Sequence, residues 1–379
     1  MSPILESRRF KNDPAQMAGY RDAGNEVSRR RGGMWARASV PVLNFNDAPP
    51  SPYIRSAYGL QPRIDFIDRG DGIKLRHMSV APATRPVADL LIVPGLNSPI
   101  ENFQRLIFPL AHLGFRTSIF DLRSQGYSGR PRDMQRNHVD SFDQYGGDLR
   151  CVYDKTRSSG LPLIVMAFSM GAHILVRELM WKNMTADHVV LVSPAIRARE
   201  LPDGTAFHRL VLRSLAKVWD VAKPGDPFFA PRGWDFSRRD DLSVLFGMNP
   251  YTSDWRQYQA AVTRMKENPM LRIGWPTGQW VKSHCDSRGI LDSESSPIME
   301  SGTVIFAEYD TVVCNRTAKE FFRRTAPNVE LQQVQAKHAL ELGGPAVISR
   351  LIKAATTLSR PSRVACRVPW VQPVAAAMA

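Results

Sequence analysis

From Ile64 onward, short apolar runs alternate with longer stretches in which apolar residues recur every three or four positions. The runs Ile73–Val80, Leu90–Val93 and Thr117–Phe120 are strand-sized, while Phe103–Leu113 has helical spacing. The same rhythm predicts a helix over Phe142–Thr156, a strand over Leu163–Phe168, a helix over Gly171–Trp181 and a strand over Val189–Val192. Strands separated by helix-length segments predict an α/β fold, a mostly parallel sheet covered by helices on both faces. The pattern then breaks. Between Pro194 and Ser301 the chain is rich in Pro, Trp and Met, with amphipathic pieces at Phe207–Val221 and Trp255–Lys266 and no strand signature. Val304–Ala307 restores the strand pattern, and Ala318–Arg324, Glu330–Val334 and Ala346–Thr357 read as helix, strand and closing helix.

These breaks predict a core over residues 53–195 and 301–358, interrupted by a mostly helical cap at 196–300. Residues 1–52 lack periodicity and end in the breaker cluster Ala48-Pro49-Pro50-Ser51-Pro52, so they are expected to be a poorly ordered extension. Residues 359–379 form a basic, Pro-containing tail.

Composition narrows the function classes. At 379 residues, with 43% hydrophobic and 23% charged positions, the chain can bury a large core and is neither disordered nor collagen-like. Its most apolar stretches, such as Ala88–Pro94 and Val189–Ser193, fall far short of the roughly 20 residues of a spanning helix. A net charge of +14, spread along the chain, favours loose attraction to anionic surfaces, whether phospholipid head groups, with peripheral membrane contact, or nucleic acid. With no basic helix or aromatic RNA-binding motif, nucleic acid is not expected as a partner. Cys151, Cys285, Cys314 and Cys366 are too widely spaced for a zinc site or a disulfide framework. Ser7-Arg8-Arg9-Phe10-Lys11 resembles a twin-arginine signal, but no apolar segment follows, and a cytoplasmic location is expected.

The chemistry centres on Leu163-Ile164-Val165-Met166-Ala167-Phe168-Ser169-Met170-Gly171-Ala172, a strand running through a small-residue turn into a helix. A serine on such an elbow projects above the sheet, and small residues two positions either side let strand and helix backbones approach. A serine hydroxyl is a weak nucleophile unless a histidine accepts its proton and a carboxylate orients that histidine. In the chain order Ser, Asp, His, the acid is expected at Asp310 after a late strand, with Glu308 as fallback, and the base at His338 after the last one. His173, four residues past Ser169, is read as a packed helix residue. The turn Pro94-Gly95-Leu96-Asn97 follows an earlier strand, so the backbone N–H groups of Leu96 and Met170 are the expected oxyanion donors. In the cap, Trp255, Met265 and Trp275 are candidate substrate-binding residues.

From about Asp71 to Leu351 these residues resemble the lysophospholipase and monoacylglycerol lipase branch of the α/β-hydrolase fold, particularly its bacterial lysophospholipase-like members. The likeness rests on Pro94-Gly95 followed by Ile100-Glu101, on Phe120-Asp121-Leu122-Arg123-Ser124-Gln125-Gly126-Tyr127-Ser128, on His138-Val139-Asp140-Ser141-Phe142, on the elbow, and on Asn249-Pro250-Tyr251-Thr252-Ser253-Asp254. It implies a serine esterase needing no cofactor or metal, acting on a lipid or other small ester, with the cap forming an apolar acyl pocket. The chain departs from the family at Ser124, Ala167, Glu308 and Gln335, where glycine is usual. A peptidase or small-ester hydrolase on the same fold, or a non-catalytic lipid- or partner-binding protein, remain the alternatives.

Overall fold

The computed structural model describes residues 53–357 except 56, 131–135, 159, 198–205, 223–245, 272–273, 275 and 294–296. The expected N-terminal extension and the C-terminal tail lie outside the described residues. Eight strands form one sheet: β1 (Pro62–Asp68), β2 (Lys74–Val80), β3 (Ala88–Val93), β4 (Phe115–Phe120), β5 (Leu163–Phe168), β6 (His188–Val192), β7 (Gly302–Ala307) and β8 (Glu330–Val334). Their order across the sheet is β1-β2-β4-β3-β5-β6-β7-β8. β2 runs antiparallel to both β1 and β4, and every pairing from β4 to β8 is parallel.

The central strands are buried along their whole length, so apart from Asp89, His188 and Thr303 near their starts they are apolar runs rather than alternating ones. Successive side chains feed two cores. Leu91, Val93, Val165 and Ala167 face one side with α2 (Phe142–Thr156) and α3 (Met170–Met180). Leu90, Ile92, Ile164, Met166 and Phe168 face the other with α1 (Gln104–His112) and α8 (Pro345–Thr356). The edge strand β1 was not separated from its surroundings by pattern alone, because Arg63, Asp65 and Asp68 break up its apolar positions.

Between β6 and β7 the chain forms α4 (Ala206–Ala222), α5 (Trp255–Glu267) and α6 (Gly278–Ser293), and α7 (Asn315–Thr325) follows β7. The amphipathic pattern anticipated α4 and α5 but not α6. That helix buries Ser283, Ser287 and Arg288 as well as Trp280, Cys285 and Leu291, so polar side chains occupy its packed face. α4 and α6 meet at Gly278, where a Cβ would come 2.4 Å from the Ala216 carbonyl oxygen.

α6 docks on the core through polar contacts. Trp280 Nε1 donates to Tyr145 Oη at 3.1 Å, Ser283 Oγ donates to the Asp140 carbonyl at 2.8 Å, and Ser287 Oγ lies 2.7 Å from His173 Nε2. The His284 ring stacks on Trp280 with centroids 5.2 Å apart and lies 5.4 Å from His173. Burial, with nearby His284, Arg177 and Arg288, holds the His173 imidazole well below its ordinary range. Burial and Arg288 push His284 down to about 4, and burial also lowers His77 and His188.

A histidine in the unfolded chain titrates near 6.5. Below that value the unfolded chain therefore binds more protons than the folded one, so stability is full above about pH 6.5 and is lost as pH falls toward 4. Thermal unfolding should show Tm falling between pH 7 and 5.5. His284→Phe keeps the ring stack and should flatten that fall; an equally steep fall in the variant would remove His284 from the account.

Candidate active site

Ser169 sits between β5 and α3 with φ 48° and ψ −114°, a conformation L-residues rarely adopt. The strain is held in place by its backbone partners. Its N–H donates to the Val192 carbonyl at 2.9 Å, and its carbonyl accepts from Ala172, His173 and Ala195. Glycine is required at 171, where a Cβ would lie 2.4 Å from the Pro94 carbonyl oxygen and 2.6 Å from that of Val93. At Ala167 the methyl group is accommodated, fully buried in the core.

The two other polar residues of the expected constellation converge on this turn. His338 Nε2 is 2.8 Å from Ser169 Oγ, and His338 Nδ1 is 2.7 Å from Asp310 Oδ2. The second carboxylate oxygen of Asp310 accepts the backbone N–H groups of Val312 and Val313 at 2.8 and 2.9 Å. A carboxylate only accepts, so Nδ1 carries the proton and Nε2 is left to accept from the serine hydroxyl. Asp310 and His338 are buried while Ser169 is partly open to solvent, an arrangement able to generate a nucleophile that a substrate can reach. Glu308, the fallback acid, is exposed at the sheet rim, its N–H bonded to the Val334 carbonyl. His173 is occupied by the Ala195 carbonyl and Ser287.

Met170 opens α3, so its N–H is among the first-turn donors that a helix leaves without an internal partner. The loop carrying Leu96 lies opposite, close enough that a Cβ on Gly95 would be 3.1 Å from Ser169 Cβ. That loop is pinned at several points. Asn97, at φ 58°, donates its N–H to Gln125 Oε1 at 2.6 Å, and its Oδ1 accepts from Asn137 Nδ2 at 2.8 Å. Ile100 N–H donates to Asp121 Oδ1 at 3.0 Å. Asp121 in turn binds Arg76 Nε at 2.6 Å, and Arg76 makes a two-pronged bond to Glu101 at 2.8 Å on each arm. The two carboxylates hold the Arg76 guanidinium above even its ordinary range, against the cost of burial.

The cap segment Asn249-Pro250-Tyr251-Thr252 was recognisable in the sequence, but its task was not. It grips the histidine loop: His338 N–H donates to the Pro250 carbonyl, Ala339 N–H to that of Tyr251, and Thr252 Oγ1 to that of Leu342. Lys337 Nζ adds a bond to the Asn249 carbonyl. The Asn249 side chain shapes the segment, accepting from Tyr251 and Thr252 N–H and donating to the Phe246 and Thr252 carbonyls.

Of the candidate substrate-binding residues, Trp255 packs edge-on against Phe246 and beside Tyr258 within the cap, and Met265 is half-buried on the same helix. Trp275 lies outside the described residues. Ser124 adopts φ 66°, the left-handed region that explains the usual glycine, and its Oγ donates to the His138 carbonyl at 2.8 Å. Gln335 is exposed. Among the described residues no group of three or more His, Cys, Asp or Glu side chains is arranged to hold a metal ion.

Comparison with known proteins places this geometry in context. The family model Hydrolase_4, described as serine aminopeptidase S33, matches residues 84–339. Lysophospholipase L2 of Escherichia coli is 26% identical over 264 residues, covering 68% of this chain and 72% of that protein. Probable lysophospholipase L2 of Haemophilus influenzae is 24% identical, covering 79% of this chain and 89% of its own length. Among solved structures, a soluble variant of monoglyceride lipase from Saccharomyces cerevisiae superposes with a TM-score of 0.60 at 16% identity, over 80% of this chain and 96% of that one. A monoacylglycerol lipase of Paleococcus ferrophilus does so with a TM-score of 0.53 at 17% identity, over 74% and 99% of the two chains. At these identities the structural likeness establishes the α/β-hydrolase fold.

Asn249→Ala should free the histidine loop without touching the reacting groups. Covalent labelling of Ser169 by a fluorophosphonate should slow by up to about a hundredfold, the scale of misplacing a catalytic group by about 1 Å. Asn249→Asp keeps the acceptor and should label at an intermediate rate; an unchanged rate in Asn249→Ala would show the grip to be dispensable.

Proposed function

This chain belongs to the Hydrolase_4 family, serine aminopeptidase S33, and from that premise we propose that Ser169, His338 and Asp310 are the catalytic triad of a hydrolase acting on single-chain lipid esters. The observation that carries the reading is the unbroken run of hydrogen bonds from Asp310 through His338 to Ser169 on a strained elbow. An ester-hydrolysing enzyme of the serine hydrolase type is what this family and its lysophospholipase relatives have in common with the chain.

In this mechanism Ser169 Oγ attacks the ester carbonyl carbon as its proton passes to His338 Nε2. The N–H groups of Leu96 and Met170 receive the developing oxyanion, a contribution of about 3 kcal/mol per donor in comparable sites. The imidazolium, stabilised by Asp310, gives its proton to the leaving alcohol, and the acyl group remains on Ser169. Water, deprotonated by His338, then attacks the acyl-enzyme and regenerates the serine. Every step uses groups of this chain and water.

A lysophospholipid or monoacylglycerol is favoured over a peptide by the names of the relatives that align with the chain, lysophospholipase L2 in two of them. The outer face of α4 supports contact with a lipid surface. Leu210, Val211, Leu215, Val218 and Val221 are exposed at helical spacing, Val218 and Val221 by 66% and 75%, with Lys217 exposed among them and Arg213 exposed but paired with Asp286 at 2.6 Å. An apolar stripe flanked by cations on a chain of net charge +14 suits an anionic bilayer. No helix among the described residues is long and apolar enough to cross a membrane.

Ser169→Ala and His338→Ala should each lower hydrolysis of a soluble p-nitrophenyl ester by at least about a thousandfold, and the double variant should be little worse than either. Full activity in Ser169→Ala would end the mechanism. Across monoacyl substrates kcat/KM should rise with chain length and then level, by up to about 0.8 kcal/mol per buried methylene. A flat profile with cleavage of aminoacyl p-nitroanilides would move the substrate to peptides.

Replacing both Leu215 and Val218 by Glu should weaken sedimentation with anionic vesicles by about tenfold while leaving turnover of the soluble ester unchanged. Equal vesicle binding by variant and wild type would remove α4 from the membrane contact.

A further inference from the structure

The triad leaves one buried acid beside the site unused. Glu341 lies three residues after His338 in the single-turn helix Leu340–Leu342 and is 6% exposed. Among the described residues no Lys or Arg pairs with it; the side chain that binds it is Ser98, whose Oγ donates to Oε1 at 2.8 Å. Ser98 belongs to the loop that carries Leu96, so this bond joins the oxyanion loop to the histidine loop across 243 residues of sequence.

The bond is the end of a directional chain. Arg264 Nη2, on cap helix α5, donates to Asn102 Oδ1 at 2.8 Å; Asn102 Nδ2 donates to Ser98 Oγ at 3.2 Å; Ser98 donates to Glu341. Every donor points toward the carboxylate, a guanidinium stands at the far end, and the orientation therefore suits an ionised Glu341. A buried carboxylate without a cation is costly unless another gain offsets it. Here the partner that becomes charged during turnover is His338, which interacts electrostatically with Glu341. Burial holds the carboxyl above its ordinary range, and Ser98 and His338 pull against that rise.

We propose that Glu341 is a positioning residue of this site: with Ser98 it holds the oxyanion loop in register with the histidine loop and sets a second negative charge near the imidazolium formed at His338. The proposal rests on the Ser169–His338–Asp310 reading. The charged groups around Glu341 are few. Arg105 from α1 is bonded to the Gly343 carbonyl, Glu101 is engaged by Arg76, and Asp254 from the start of α5 lies near Gly344. Around His338 stand Asp310 and Lys337, the latter bonded to the Asn249 carbonyl.

The test is the pH profile of kcat/KM on a soluble p-nitrophenyl ester, whose acidic limb reports protonation of the base. Glu341→Gln preserves shape and an acceptor for Ser98 but removes the charge. Its acidic limb should move to lower pH by about 0.5 to 1 unit, because a protonated imidazole loses an attractive neighbour, while kcat falls and KM changes little. Ser98→Ala removes the donor that favours the ionised form, so the buried carboxyl takes up a proton and the limb should move in the same direction, and Ser98→Thr should restore it. A limb that stays at the wild-type pH in both Glu341→Gln and Ser98→Ala overturns the proposal, as does a loss of Tm with no movement of the limb. Inactivity of Ser169→Ala alongside an unmoved limb would leave the triad standing and Glu341 without this role.

Discussion

The contact on which the site depends is the close approach of the β5–α3 turn to the end of β3. At Gly171 the main chain lies so near the Val93 and Pro94 carbonyls that no side chain fits. This approach brings the loop carrying Leu96 beside Ser169 and forces the serine into its left-handed conformation. Such a conformation costs about 1 to 3 kcal/mol and persists only where its surroundings over-determine it. The surroundings here are the Val192 carbonyl, the Ala195 N–H and the fully buried strands on either side. In this conformation the hydroxyl lies 2.8 Å from His338 Nε2.

A second constraint fixes the other half of the site. Asp121 at the end of β4 accepts from Ile100, Tyr127 and Arg76, so a single carboxylate joins the oxyanion loop, the turn after β4 and strand β2. Gly126 is needed beside it because a Cβ there would overlap the carboxylate. Arg76 in turn lies over the Tyr127 ring, 4.4 Å from its centroid. Buried ions are costly when one partner is removed, and here such a loss would fall on the loop that carries Leu96, a proposed oxyanion donor. Within the Asp-x-Arg-x-x-Gly-x-Ser signature Asp121 and Ser128 thus hold backbone, while Arg123 binds the carboxylates of Asp148 and Asp71.

What was legible in the sequence follows from which forces leave a periodic trace. Parallel strands buried on both faces are apolar over most of their length, so β3, β5, β6 and β7 stood out. The elbow was legible because close backbone approach requires small residues at fixed offsets. Asp310 and His338 could be placed by their order after particular strands. α6 was not legible: its packed face carries Ser283, Ser287 and Arg288, whose partners lie far away in sequence. Nor was the grip of Asn249 on the histidine loop, since it is made mostly through backbone carbonyls that any residue supplies. Trp255 shows the converse, an aromatic residue conspicuous in the sequence that packs with its own cap neighbours.

These contacts change what the cap is. Asn249 to Thr252 holds the histidine loop, Arg264 reaches the oxyanion loop through Asn102, and Thr277 N–H binds the carbonyl of Asn137, whose side chain steadies Asn97. A cap that only walled a pocket would influence substrate affinity alone. One that shares hydrogen bonds with the Ser98 and His338 loops also fixes how those loops sit, and under the proposed mechanism a shift of it would reach turnover as well as binding.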